Sequence, residues 1–244
     1  MSGHSKWHNI QLKKGKTDAA RGSIFTKLGR EIAVAVKTGG ADPASNFRLK
    51  AVIDKAKINN MPNDNILRSI KKASGADGGA DYEEMTYEGY AAGGVAVIVK
   101  CLTDNKNRTA ADVRHYFDKF GGALGTSGCV SYLFKSKGVI IAEKGKRTLD
   151  DALEIALDAG ADDILEDDDV FEIYTSPVDV NTVAEALRKA AIKVLSEETE
   201  LCPDTEIDPQ GKTDSVLRLI DALNENDDVQ NVYHNAILPE EDEE

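Results

Sequence analysis

Residues 138–198 read GVIIAEKGKRTLDDALEIALDAGADDILEDDDVFEIYTSPVDVNTVAEALRKAAIKVLSEE. Short apolar runs alternate there with segments of helical spacing. A strand over 138–142, a helix over 148–159, strands over 162–165 and 170–174, a helix over 180–191 and a strand over 193–198 give the order βαββαβ. That is a two-layer α/β unit of the ferredoxin-like type. Beyond Pro203 the pattern predicts a helix at 213–224 and a strand at 229–235, which have no partners of their own. Upstream, strands at 85–90 and 95–102 joined at Gly93-Gly94, a helix at 109–120 and a strand at 129–134 form an incomplete unit. The late helix and strand therefore return to complete the earlier sheet, and the βαββαβ unit is an insertion in it.

Further upstream the spacing is helical throughout. Thr17 or Asp18 caps a helix whose apolar residues Ile24, Leu28, Ile32 and Ala35 share a face with Phe25 beside them, and Thr38-Gly39-Gly40 ends it. Asp42-Pro43 is a cap and first-turn pair for a second helix, with Leu49, Val52, Ile53 and Ala56 on one face. Met61-Pro62-Asn63 caps a third, which is expected to bury Ile66, Leu67 and Ile70 and to stop at Gly75. The expected fold is α+β with three domains: a basic arm and three-helix domain (1–76), a discontinuous α/β domain (81–136 with 204–238) and an inserted α/β domain (137–203). An acidic tail follows at 239–244.

Charge divides the chain in the same place. The first 72 residues hold fifteen Lys or Arg against five Asp or Glu, and the remaining 172 hold fifteen against 38. The net charge of −13 would repel nucleic acid, yet the N-terminal third has the sign of a phosphate-gripping surface. The longest purely apolar run, Val95 to Val99, is too short to span a bilayer, and the N-terminus lacks the apolar stretch of a secretory signal, so the cytosol is the expected compartment. Cys101, Cys129 and Cys202 lie far apart and predict buried thiols, not a disulfide framework or a zinc knuckle.

The candidate nucleic-acid-binding residues are Lys6, Trp7, His8, Lys13, Lys14, Lys16, Arg21, Lys27, Arg30, Lys57, Arg68, Lys71 and Lys72, with Arg108 as a secondary contact. Lysine and arginine neutralise phosphates, and an exposed indole stacks on a base. Six phosphate contacts would give a slope of about −5 in log affinity against log salt. The competing reading is a solvated arm that docks on the acidic body, with Trp7 as its packing anchor. His4 and His8 at i and i+4 lack further metal ligands nearby, so no metal is expected. The helices around Met61-Pro62 also match a helix-turn-helix with Asn65, Arg68 and Lys72 outward, a pattern any lysine-bearing helical hairpin shares.

Gly3-His4-Ser5-Lys6-Trp7-His8-Asn9-Ile10, Asp18-Ala19-Ala20-Arg21-Gly22 leading to Phe25-Thr26-Lys27-Leu28, and Asn60-Met61-Pro62-Asn63-Asp64-Asn65-Ile66 together resemble the YebC/PmpR family. So do Tyr87-Glu88-Gly89-Tyr90, Gly94-Val95-Ala96-Val97-Ile98-Val99, and Leu102-Thr103-Asp104-Asn105 with Asn107-Arg108-Thr109. The resemblance implies a cytoplasmic three-domain fold and gene-expression regulation, either DNA-binding transcriptional control or ribosome-associated help in translating proline runs. Its partners would be promoter DNA, or rRNA and tRNA within the ribosome. The family has Gly-Pro where this chain has Ala91-Ala92, and loss of that pre-formed turn predicts a looser hairpin.

Other chemistry finds little support. Tyr87, Glu88 and Tyr90 lie at the opposite end of their hairpin from Asp104, Asn105, Asn107 and Arg108, and Thr109 with Asp112 reads as a capping box. Gly121-Gly122, Gly125 and Gly128 do not match GxGxxG, and no GxxxxGK[ST] occurs. Glu166 to Asp169 reads as a solvated hairpin, not a calcium loop. The expected function is a non-enzymatic nucleic-acid-binding regulator without a cofactor; an acidic protein-interaction adaptor is the alternative of a different class.

Overall fold

The computed structural model describes residues 18–75, 80–167 and 169–239. These divide into two compact units, one holding Leu133–Glu206 and the other the residues up to Tyr132 together with Ile207–Ile237.

Three helices open the larger unit: α1 (Asp18–Gly39), α2 (Phe47–Ile58) and α3 (Asn63–Ser74). Leu28, Ile32, Ala35 and Val36 fall at i, i+4, i+7 and i+8, so α1 offers one apolar stripe to Leu49, Val52 and Ala56 of α2, to Met61, and to Ile66 and Ala73 of α3. Each large aliphatic buried there contributes roughly 1.5–3 kcal/mol. The cap of α2 is Asn46, not Asp42-Pro43. Its carboxamide oxygen accepts the Leu49 N–H at 3.0 Å, while its NH2 donates to Ala35 O and Gly40 O, both at 2.7 Å. One buried side chain thus joins the end of α1 to the start of α2. Asp42 forms the preceding turn, accepting the Ala44 N–H at 3.0 Å. Leu67, expected inside, is 63% exposed, because only Ile66 and Ala73 fall squarely on the inner face of α3.

The first sheet has the order β3-β1-β2-β8, all antiparallel, from β1 (Glu83–Tyr90), β2 (Ala96–Thr103), β3 (Ala123–Leu124) and β8 (Val229–His234). Helices α4 (Lys106–Lys119) and α7 (Thr213–Glu225) pack against it and each other through Val113, Phe117, Val216, Leu219 and Leu223, all fully buried. The β1–β2 register runs unbroken from Glu83–Thr103 to Tyr90–Ala96, and the Ala91 N–H donates to Val95 O at 2.7 Å. The hairpin is thus fully paired up to Ala91-Ala92. Gly93 and Gly94 carry the turn at φ of 74° and 77°, values that side chains disfavour.

The second unit is β4 (Phe134–Glu143), α5 (Leu149–Asp158), β5 (Ala161–Asp167), β6 (Val170–Thr175), α6 (Val180–Lys189) and β7 (Val194–Pro203). Its sheet order β5-β6-β4-β7, antiparallel throughout, is the ferredoxin-like arrangement expected. Ile140, Ala142, Phe171 and Ile173 face Ala152, Ala156, Val183 and Leu187 of the two helices. Thr148 and Asp151 form a capping box at the start of α5.

Two local expectations fail. Cys129–Phe134 is not a strand: a turn and a 3-10 segment (Ser131–Leu133) precede β4, and the pairing beside β1 is made by the unforeseen β3. Thr109 does not cap α4. Asn105 does, accepting the Arg108 N–H at 3.1 Å, and the Thr109 hydroxyl is engaged elsewhere.

Candidate nucleic-acid interface

Helix α3 exposes Arg68, Lys71 and Lys72 at i, i+3 and i+4, and none forms an ion pair among the described residues. Lys71 and Lys72 lie in its last turn, where the helix dipole favours cations. Helix α2 exposes Lys50 and Lys57, the latter 3.7 Å from Asp54, a pairing water screens heavily. A depression beside them is lined by Pro43, Phe47, Lys50, Ile53 and Lys57, with Phe47 82% exposed. The outer sides of α2 and α3 therefore present five cations, interrupted by Asp54 and Asp64.

Lys6, Trp7, His8, Lys13, Lys14, Lys16 and the side chain of Arg21 lie outside the described residues, as do His4 and its spacing to His8. Lys27 and Arg30 turn inward. Lys27 Nζ donates to Asn224 O at 2.6 Å. Arg30 donates to Leu102 O at 3.0 Å, pairs with Asp228, and lies 5.3 Å from the centre of the Tyr82 ring. Sequence reading assigned both to phosphate because the group that claims Arg30 arrives 198 residues later.

Asp228 is the hub of this network. Its side chain is 4% exposed and also accepts from Arg108 Nη2 at 2.9 Å, the Thr109 hydroxyl at 2.7 Å and the Thr103 hydroxyl at 3.3 Å. Burial alone would discourage its ionisation, but the Thr109 hydroxyl and the guanidinium groups of Arg30 and Arg108 outweigh that and hold its pKa below the usual aspartate value. Arg108 is anchored by Asp228 and by Asp104 at 2.9 Å, which raises its pKa; half-exposed, it faces two carboxylates instead of an open surface. Lys37–Asp81 and Arg48–Glu84, the latter at 2.5 Å, join the helices to the start of β1.

At the far end of β1, Glu88 is 5% exposed, and its carboxylate accepts the N–H groups of Gly128, Val130 and Ser131 at 2.9, 3.0 and 2.9 Å. Burial opposes its charge, yet the three amides prevail and keep its pKa below the ordinary glutamate value. The role of Glu88 as a loop anchor, and that of Asp228, escaped sequence reading, since their partners are backbone amides and distant side chains. Cys101 is 3% exposed, and burial pushes its thiol up to about 12, so it stays protonated. Among the described residues no three His, Cys, Asp or Glu side chains gather as metal ligands.

Comparison with known proteins gives one answer along the chain. Residues 5–76 match the family model described as the TACO1/YebC protein N-terminal domain, and residues 82–236 match the TACO1/YebC second and third domain. A "probable transcriptional regulatory protein" of Ruminiclostridium cellulolyticum is 57% identical, with all of both chains covered. Another of that description from Clostridium novyi is 54% identical over 99% of each. The crystal structure of a conserved hypothetical protein from Aquifex aeolicus superposes with a TM-score of 0.84 at 45% identity, covering 93% of this chain and 94% of that one.

Proposed function

This chain belongs to the TACO1/YebC family, and we propose that it is a non-enzymatic, nucleic-acid-binding regulator of gene expression that holds DNA phosphates on the outer sides of α2 and α3. The observation that carries this reading is the division of the N-terminal cations. Lys27 and Arg30 are engaged inside the protein, whereas Lys50, Lys57, Arg68, Lys71 and Lys72 stay in solvent on a chain whose net charge is −13. A cationic face kept on such a chain serves a polyanion. The names of the relatives point to transcription. Among the described residues no helix is long and apolar enough to cross a membrane, which accords with action in the cytoplasm.

Filter binding to duplex DNA over a range of salt tests the reading. Five phosphate contacts give a slope of about −4.5 in log affinity against log salt, and Lys71→Ala with Lys72→Ala lowers its magnitude by about 2. An unchanged slope in the double variant would remove α3 from the interface. Sedimentation with ribosomes at matched salt separates promoter DNA from ribosomal RNA as the target, since both present the same phosphates to lysine.

A further inference from the structure

Strands β4 and β6 of the inserted unit are apolar without alternation. Val139, Ile140, Ile141 and Ala142 are all buried, and so is every residue of β6 from Val170 to Thr175. An antiparallel sheet with one face in water alternates buried and exposed positions, so this pattern belongs to a sheet covered on both faces. The inner face is accounted for by α5 and α6, on which Ile140, Ala142, Phe171 and Ile173 pack. The outer face is not. Val139, Ile141 and Val170 are at most 1% exposed there and cluster with Tyr174 and Cys202, and among the described residues that apolar cluster draws on the strands of the sheet alone. A flat row of side chains cannot shield itself from above, so a further segment has to lie over it.

The chemistry of the face describes that segment. Directly paired residues of antiparallel strands point to the same side. Glu198 pairs with Val139, Glu172 with Ile141, Asp163 with Tyr174 and Asp167 with Val170, which places their carboxylates around the apolar centre. Glu143 and Glu200 stand in the same rows, so six acids face Lys135 and Lys137. Glu172 is 2% exposed and accepts the Tyr174 hydroxyl at 3.0 Å, while Lys137 Nζ lies 5.4 Å from the centre of that ring. Burial, followed by the charge of Glu172 and Glu200, pushes the Tyr174 hydroxyl up from its ordinary pKa. The matching cover is apolar in the middle and cationic around it.

Outside the described residues stand 1–17, 76–79, 168 and 240–244. The last of these is wholly acidic, Asp168 is a single acid, and Ala76-Asp77-Gly78-Gly79 brings one methyl group and no cation. Residues 1–17 hold Met1, Trp7, Ile10 and Leu12 together with Lys6, Lys13, Lys14 and Lys16, and contain no Asp or Glu. Extended, they reach about 55 Å, well beyond the roughly 15–20 Å across four strands.

We propose that residues 1–17 dock on the outer face of the inserted sheet, with Trp7, Ile10 and Leu12 covering its apolar centre and the four lysines meeting the carboxylates around it. Lysines that sequence reading offered to phosphate thus neutralise the protein's own acid, and the nucleic-acid surface left open is that of α2 and α3. The inference goes beyond the proposed function and does not depend on it.

Trp7 is the only tryptophan, so its fluorescence in the full chain reads the arm directly. The docked indole emits to the blue of free tryptophan and resists quenching by acrylamide. Lys13→Glu with Lys14→Glu and Lys16→Glu drives the arm off its acidic seat: emission moves to the red and quenching rises. Cys202, 8% exposed within the cluster, then reacts with a thiol reagent about tenfold faster, while Cys101, 3% exposed in the first sheet, stays protected. Adding Glu198→Lys with Glu200→Lys restores both signals, which a misfolded variant would not do. Wild-type emission and quenching equal to those of free tryptophan overturn the proposal. So does a protected Trp7 that ignores charge reversal on either side, because the arm then sits elsewhere, or protection that fades on dilution, which gives the face to a second copy. Duplex binding by α2 and α3 is read separately by filter binding, and its failure bears on the proposed function alone.

Discussion

Replacing Asp228 by alanine is expected to destabilise the unit that joins the helices to the first sheet by about 4 kcal/mol. The figure follows from what the carboxylate leaves behind. Arg30 has a side chain only 14% exposed, and truncating one partner of a buried ion pair costs about 3–5 kcal/mol because the other charge is stranded. Thr103 and Thr109 lose an acceptor, each worth about 1 kcal/mol and not fully additive. Arg30 keeps Leu102 O and the Tyr82 ring, which trims the total. Arg108, half-exposed and still paired with Asp104, adds less than about 1 kcal/mol. Against a whole stability of roughly 5–15 kcal/mol, such a loss is large. Urea unfolding of wild type and variant at neutral pH measures it, and a cycle with Arg30→Ala isolates the pair. The pH dependence supplies an independent check. The pKa of Asp228 is depressed on folding, so its contribution is complete above its unfolded value near 3.8 and disappears as pH falls through the lower folded value. The gap between wild type and Asp228→Ala should therefore close in acid. A cost under about 1 kcal/mol, or a gap that does not narrow at low pH, would refute the hub.

Two other outcomes follow from the packing. Glu88→Gln keeps the shape but not the charge that three amides face, and should cost about 1–2 kcal/mol at neutral pH. Because Glu88 is also depressed, from 4.5, that cost should vanish as pH drops below the glutamate range; calorimetry between neutral and acid pH reads it. Gly138→Ala sets a Cβ 2.2 Å from Thr175 Oγ1 and 2.9 Å from Ser176 O, and should lower the stability of the inserted unit by about 1–3 kcal/mol, seen as a reduced thermal midpoint.

What sequence reading found and missed divides along the range of the interactions. The stripe of Ile24, Leu28, Ile32 and Ala35 and the strand and helix order of 138–198 are periodic signals carried by neighbouring residues, and both appear in the fold. Caps were harder, because Asp42-Pro43 and Asn46 are both good starts for a helix. Asn46 prevails by reaching Ala35 O and Gly40 O, which exist together only once α1 has ended. Thr109 has capping chemistry but is drawn to Asp228, 119 residues away. Cys129 to Phe134 has the composition of a strand, yet the amides a ladder would need are taken by Glu88. The cationic surface was overdrawn for the same reason: a lysine or arginine gives no local sign of the distant acceptor that will claim it, as Asn224 and Asp228 claim Lys27 and Arg30.

The placement of Asp228 has a bearing on the order in which the nascent chain matures. The ferredoxin-like unit is contiguous, and its ends meet where the Asp204 N–H donates to Leu133 O at 2.8 Å, so it can close as soon as its own last strand leaves the ribosome. The earlier sheet cannot, because β8 and its preceding aspartate are synthesised only after the whole of that unit. Until then Arg30 waits without its carboxylate, and the helices are tied to the first sheet through the exposed pairs Lys37–Asp81 and Arg48–Glu84. Synthesis of the segment around Asp228 is thus the event that buries Arg30 and closes the first sheet over the helices.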